Sequence, residues 1–199
     1  MDDADEAVLV TRAQAGEAAA FAELARRYQP RLARMGTLLL GDADEAESLA
    51  QEALTRSYAQ LASFQGDRPF GPWLRGIAVN LCRNALRERS RHARPVDSEQ
   101  LQDTAAPVGR RQGVLSEILR REAGACTLEA IGLLPEALRE AFVLHFVEDL
   151  DYEAIATITG VSAATLRVRA HRARTLLRQR LGSVVDTWLR EGPPRAEPS

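Results

Sequence analysis

The stretch Tyr152–Arg180 reads YEAIATITGVSAATLRVRAHRARTLLRQR, and its spacing predicts two helices joined by a tight turn. In the first helix Ile155 and Ala156 supply an apolar face with a small residue where two helices must cross closely, and Gly160 can take the left-handed conformation that a sharp turn needs. Ser162 stands as an N-cap for a helix from Ala163 onward. In that second helix Leu166, Ala170, Ala173, Leu177 and Leu181 recur at helical spacing and are expected to pack inward, leaving Arg167, His171, Arg174 and Arg178 as an outward stripe. Arg169, Arg172 and Arg180 add charge, and no acidic residue occurs from Thr165 to Arg180. The plainer alternative is a solvated, Arg-rich surface helix, but such helices usually mix signs. An unmixed cationic helix behind a helix-turn points instead to DNA, with Ser162, Thr165, Arg167, Arg169, His171, Arg172 and Arg174 as the candidate contacts.

Composition agrees once it is divided along the chain. All 26 basic side chains are Arg, and the net charge of -2 hides alternating blocks. Residues 1–64 carry -5, 65–95 carry +5, 96–164 carry -7 and 165–180 carry +6. Two compact basic segments therefore stand in an acidic chain. A length of 199 residues with 45% hydrophobic content suits two small helical cores. The acidic start and the short apolar runs give no signal peptide and no membrane span, so a cytoplasmic protein is expected. Cys82 and Cys126 lack metal-ligand spacing, and Cys82 shares a helical face with Ala78 and Ala85, as a small buried residue would. His92, His145 and His171 form no local cluster, and no nucleophile, Walker or dinucleotide motif is present. The expectation is a non-enzyme without a metal or cofactor.

Nearly every segment predicts helix, and alternating strand patterns are absent. Gly16-Glu17, Gln29-Pro30 and Gly41-Asp42 punctuate the first part, Glu45–Phe64 forms a further helix, and Gly71-Pro72 starts one that runs to about Arg91. Trp73, Leu74, Ile77, Ala78, Leu81 and Ala85 are its expected buried side. Asn80, Arg83, Asn84, Arg87 and Arg91 lie opposite. Arg can neutralise phosphates and Asn can bond a base edge, so this face can grip DNA while the loop before it holds an unstacked base. A solvated Asn80 is the plainer reading of that one residue. A polar linker with Pro107-Val108-Gly109 follows, containing a weak amphipathic segment, Val114, Leu115, Ile118 and Leu119. Pro135 starts a helix through about Val147, and beyond Leu181 the pattern continues through Val184, Val185, Trp188 and Leu189 before Gly192-Pro193-Pro194.

Both halves resemble the extracytoplasmic-function sigma factors of bacterial RNA polymerase. Asp44 to Glu52 is similar to the family's acidic docking helix, and it is followed by Tyr58, Phe64, Phe70, Trp73-Leu74, Ile77-Ala78 and Asn80. The second match runs from Leu134-Pro135 through Glu140–Phe146 and Leu150–Ala156 to Gly160-Val161-Ser162, Thr165-Leu166-Arg167 and His171–Arg174. The resemblance implies an all-α chain of two small helical domains joined by a flexible linker. Residues 1–94 would dock on core polymerase through Glu45, Glu47, Gln51 and Glu52 and melt the minus-ten element. Residues 95–127 would be linker, 128–183 a helix-turn-helix domain reading the minus-thirty-five element and docking on the polymerase flap, and 184–199 an extension without an assigned role. It also implies an anti-sigma protein, because a free sigma factor would act constitutively. Ser48 stands where the family often has Asp, and Val168 and Ala170 replace a commonly polar and a commonly Leu position. The alternatives are a sigma mimic that sequesters an anti-sigma protein and a helix-turn-helix repressor or activator; the Arg stripe argues against the first.

Overall fold

The computed structural model describes residues 3–65, 69–92 and 127–182, which form helices and short connections with no strand among them. The chain divides into two compact units, Met1–Ser98 and Glu99–Ser199. Of the linker expected at 95–127, residues 95–126, with its amphipathic segment and Cys126, lie outside the described residues, as does the extension from 184, whereas Thr127 is buried and helical.

The first unit contains α1 (Asp3–Gln14), α2 (Ala18–Leu40), α3 (Ala43–Gln60), a 3-10 turn at Leu61–Ser63 and α4 (Phe70–His92). Helix α2 ends because Gly41 turns left-handed at φ 73° while its N–H closes on the Thr37 carbonyl at 2.8 Å. One residue later Asp42 caps α3, accepting from the Glu45 N–H at 2.9 Å. Gln29-Pro30 does not interrupt α2, contrary to the sequence expectation. An internal proline costs about 3 kcal/mol, but burial of Leu, Met or a similar side chain returns about 1.5–3 kcal/mol each. Leu24, Leu32 and Met35 are all buried on the two sides of Pro30, whereas Pro30 faces solvent, so packing outweighs the lost backbone bond. Helices α2 and α3 meet where Gly36 faces Ala46; a methyl group at 36 would come within 2.9 Å of the Ala46 Cβ. The crossing therefore depends on two small residues.

Helix α4 begins at Phe70, two residues before Pro72, whose missing N–H is harmless in a first turn. Phe64 and Phe70 are both buried and meet edge to face at 5.8 Å, and Trp73 lies against them at 4.7 and 5.5 Å. The backbone on either side of 65–69 is thus pinned by one aromatic cluster.

The second unit contains helical residues 127–132 (α5), α6 (Glu136–Phe142), a π turn at Val143–Val147, α7 (Tyr152–Thr159) and α8 (Ala163–Leu181). The π turn, a wider coil than the single helix expected through Val147, ends at Val147, and two residues on Asp149 is left-handed at φ 53°. Phe142, Val143, Leu144, Leu150 and Ile155 are buried together with Leu166, Ala170, Ala173 and Leu177 of α8. Leu181 is only half-buried. The alanines at 170 and 173 leave room for α6, against which α8 packs.

Candidate nucleic-acid interface

The turn between α7 and α8 is built by three local devices. Asp151 caps α7, accepting from the Ala154 N–H at 2.7 Å. Gly160 closes that helix in the left-handed conformation at φ 71°, its N–H on the Ala156 carbonyl. Ser162 caps α8, accepting from the Thr165 N–H at 3.3 Å, while the two hydroxyls bond each other at 2.8 Å. Ser162 and Thr165 are both exposed at the helix N-terminus, so they can exchange that mutual bond for one to a phosphate.

Helical geometry advances about 100° per residue, which sorts the rest of α8 into four strips. Leu166, Ala170, Ala173 and Leu177 face the core. Arg167, Arg174 and Arg178 follow one flank, Arg169 and Arg180 the other, and Val168, His171, Arg172 and Thr175 stand farthest from the core. The expected outward stripe of Arg167, His171, Arg174 and Arg178 is therefore tilted toward a flank. Arg174 departs furthest from the expectation: it is half-buried, with its guanidinium 5.9 Å from the Phe146 ring centroid. Arg169 is half-buried as well, whereas His171 and Arg172 are exposed.

Arg167 is exposed, and its guanidinium lies over the Tyr152 ring at 5.2 Å. His145 stacks on that ring with centroids 4.1 Å apart, and its Nδ1 is 2.9 Å from the Leu150 carbonyl oxygen. Burial holds the Tyr152 phenol above its ordinary range, and the nearby Arg167 charge opposes this more weakly. Reasoning from sequence did not assign a site role to Tyr152, or to Val168, which is 51% exposed. An apolar residue among outward Arg was the available signal for Val168, since methyl groups of thymine offer an apolar contact in the major groove. Nothing local marks Tyr152 as a support for Arg167.

In the first unit, Asn80, Asn84, Arg87 and Arg91 are all exposed on one strip of α4, and Arg83 beside them is half-buried. Arg87 Nη1 is 3.5 Å from Asn84 Oδ1. Leu74, Ala78, Val79, Leu81 and Cys82 form the buried side. Trp73 and Ile77, expected there, are half-buried and continue the Asn80 strip toward the start of the helix. The position of Trp73 follows from the aromatic cluster, which holds one side of its ring.

The four acidic-helix candidates do not share one face of α3. Glu47 and Gln51 lie one turn apart and exposed, with Glu47 accepting from Gln29 Nε2 at 2.9 Å. Glu45 and Glu52 occupy the opposite flank, since two residues of helix already turn about 200°. Glu52 pairs with Arg56 at 2.5 Å. Glu45 is half-buried and pairs with Arg89 of α4, which also donates to the Leu40 carbonyl at 3.0 Å. Among the described residues no group of three or more His, Cys, Asp or Glu could hold a metal ion, and no helix is long and apolar enough to cross a membrane.

Two family models match in the order of these two units: Sigma-70 region 2 over residues 24–92 and Sigma-70, region 4 over residues 125–177. The RNA polymerase sigma-H factor of Pseudomonas aeruginosa is 37% identical over 179 residues, covering 83% of this chain and 88% of that protein. The ECF RNA polymerase sigma-E factor of Escherichia coli K12 is 35% identical over 174 residues, covering 84% and 89%. Among solved structures, the sigma factor RpoE in complex with the anti-sigma factor NepR from Bartonella quintana superposes with a TM-score of 0.60 at 26% identity, covering 81% of this chain and 96% of that one. CnrH in complex with the cytosolic domain of CnrY has a similar fold, with a TM-score of 0.59 at 22% identity over 92% and 98%.

Proposed function

The chain belongs to the extracytoplasmic-function group of the sigma-70 family, and from that premise we propose how its two units divide the start of transcription. It is an alternative sigma factor: it binds core RNA polymerase and promoter DNA and initiates transcription, with no catalytic step of its own. The second unit reads the minus-thirty-five element by placing α8 in the major groove. Arg172 and Arg178, with Ser162 and Thr165 at the helix start, hold phosphates. Arg167, His171 and Val168 reach base edges. The first unit docks on polymerase through the Glu47 and Gln51 flank of α3, and Asn80, Arg83, Arg87 and Arg91 of α4 hold the strand that separates at the minus-ten element.

The observation that carries this division is the separation of charge from packing in both units: α4 and α8 each bury one strip and turn exposed Arg outward from another. A decoy for an anti-sigma protein would have no use for phosphate contacts. The chain works in the cytoplasm, with the polymerase. An anti-sigma protein restrains it, a reading supported by the Bartonella quintana relative, which was solved with one.

Run-off transcription with core polymerase on a promoter library tests the assignment. Start sites that depend on this chain are expected, sharing sequence at both elements. Binding of duplex promoter without core enzyme, and no start sites with it, would favour a helix-turn-helix repressor.

A further inference from the structure

Helix α1 precedes the region 2 match, which begins at residue 24, and it buries an acid. Glu6 is 8% exposed and accepts from the Tyr28 hydroxyl of α2 and, at 3.4 Å, from the Gly71 N–H in the first turn of α4. Burial and then the bond to Glu6 hold the Tyr28 phenol well above its ordinary range, so it remains a donor. A Cβ at Gly71 would lie 2.6 Å from the Tyr28 hydroxyl oxygen and would have to displace it. Two turns along α1, Gln14 Nε2 donates to the Leu61 carbonyl at 3.0 Å and to the Phe64 carbonyl at 2.8 Å. One helix thus grips the backbone on both sides of residues 65–69: Gln14 holds the end that arrives and Glu6 the end that leaves.

We propose that Glu6 and Gln14 are positioning residues that fix the Phe64–Phe70–Trp73 cluster, and with it the start of the α4 strip, for a separated DNA strand. The proposal rests on the reading of α4 given above. Phe64 and Phe70 occupy the two gripped ends, and the half-buried Trp73 ring leans on both at the head of the strip that runs through Ile77 to Asn80. Unstacked bases gain from aromatic surfaces held ready beside cationic side chains. None of these three bonds is needed to form α4, which has its own apolar stripe. Their evident consequence is to fix where that helix starts relative to the 3-10 turn.

Gln14→Glu is the sharpest variant, because it keeps the shape and removes both donors. Hydrogen exchange of the free full-length chain should quicken at residues 61–74 and stay unchanged in α2 and α3. With core polymerase, holoenzyme carrying Gln14→Glu should assemble normally. It should bind a single-stranded oligonucleotide of the nontemplate minus-ten sequence about 5- to 10-fold more weakly, the effect of losing one or two hydrogen bonds. Glu6→Gln, which can serve one donor but not both, should act in the same direction. Unchanged exchange at 61–74 overturns the clamp. Faster exchange with unchanged oligonucleotide binding, or an equal loss of core binding, overturns the positioning role. Failure of the wild-type holoenzyme to bind the oligonucleotide would instead overturn the strand-holding reading of α4, a result the exchange measurement separates because it contains no DNA.

Discussion

The guanidinium of Arg167 lies over the ring of Tyr152, 5.2 Å from its centroid, so an early side chain of α8 rests on the first residue of α7. A partly exposed stack of this kind contributes about 0.5–1 kcal/mol, enough to bias an Arg rotamer without locking it. Arg167→Ala is expected to relax base preference at one minus-thirty-five position, since a bidentate contact to guanine carries about 1–3 kcal/mol of discrimination. Tyr152→Leu should soften the same preference by less, and Tyr152→Phe should preserve it. Promoter selection with each holoenzyme provides the check; preferences identical to wild type for Arg167→Ala would make that side chain a phosphate contact.

Arg172 and Arg174 should behave differently although both are cations of one helix. Exposed Arg172 is expected to lower binding at all promoters when replaced by Ala and to reduce the salt slope by about one. Half-buried Arg174, against Phe146, should lose fold stability when replaced, through its packed stem as well as its charge. Salt titrations of promoter binding and thermal unfolding of each variant separate the two. Equal melting temperatures would refute the distinction.

Asn80→Ala should leave core binding and closed-complex formation nearly unchanged and slow strand opening, because the contact it loses exists only after a base leaves the stack. Permanganate footprinting reads the opening directly. A pre-melted template should restore most of the activity, and its failure to do so would remove Asn80 from this role.

On α3 the two flanks give opposite expectations. Glu47→Lys should weaken association with core polymerase and alter its salt dependence, as reversal of a rim charge does. Glu45→Ala should leave core association near wild type and cost the fold no more than about 1 kcal/mol, because its pair with Arg89 is substantially solvated. Binding titrations of both variants decide; a larger loss at Glu45 than at Glu47 would move the docking surface to the other flank.

Tyr28 gives the first unit an alkaline limit. Its phenol is raised from the ordinary value of 10.0, so folding favours the neutral form. Stability from this source is complete below the unfolded phenol's pKa and is lost as pH rises through the window toward the folded one, because the unfolded chain ionises first. Tyr28→Phe should cost about 1–3 kcal/mol at neutral pH by depriving buried Glu6 of a donor. It should also flatten the decline above about pH 10. Denaturant titrations of both proteins across that range test the sign, and identical alkaline slopes would contradict it.

Local features were legible in the sequence: two helical units, the cap Ser162, the Gly160 turn, the buried strip Leu166–Ala170–Ala173–Leu177 and the exposed Asn80, Arg87 and Arg91. Each depends on residues within a few turns of one another, where the helical period and a capping oxygen suffice. Tertiary structure alone decided that α2 continues through Pro30, that Arg174 turns to Phe146, that Glu45 turns to Arg89, and that α1 grips Leu61, Phe64 and Gly71. The last of these bonds span 47 to 65 residues of chain. Their partners are set by where helices cross, and crossing depends on the shapes of facing surfaces such as Gly36 against Ala46, which no spacing within a single helix encodes.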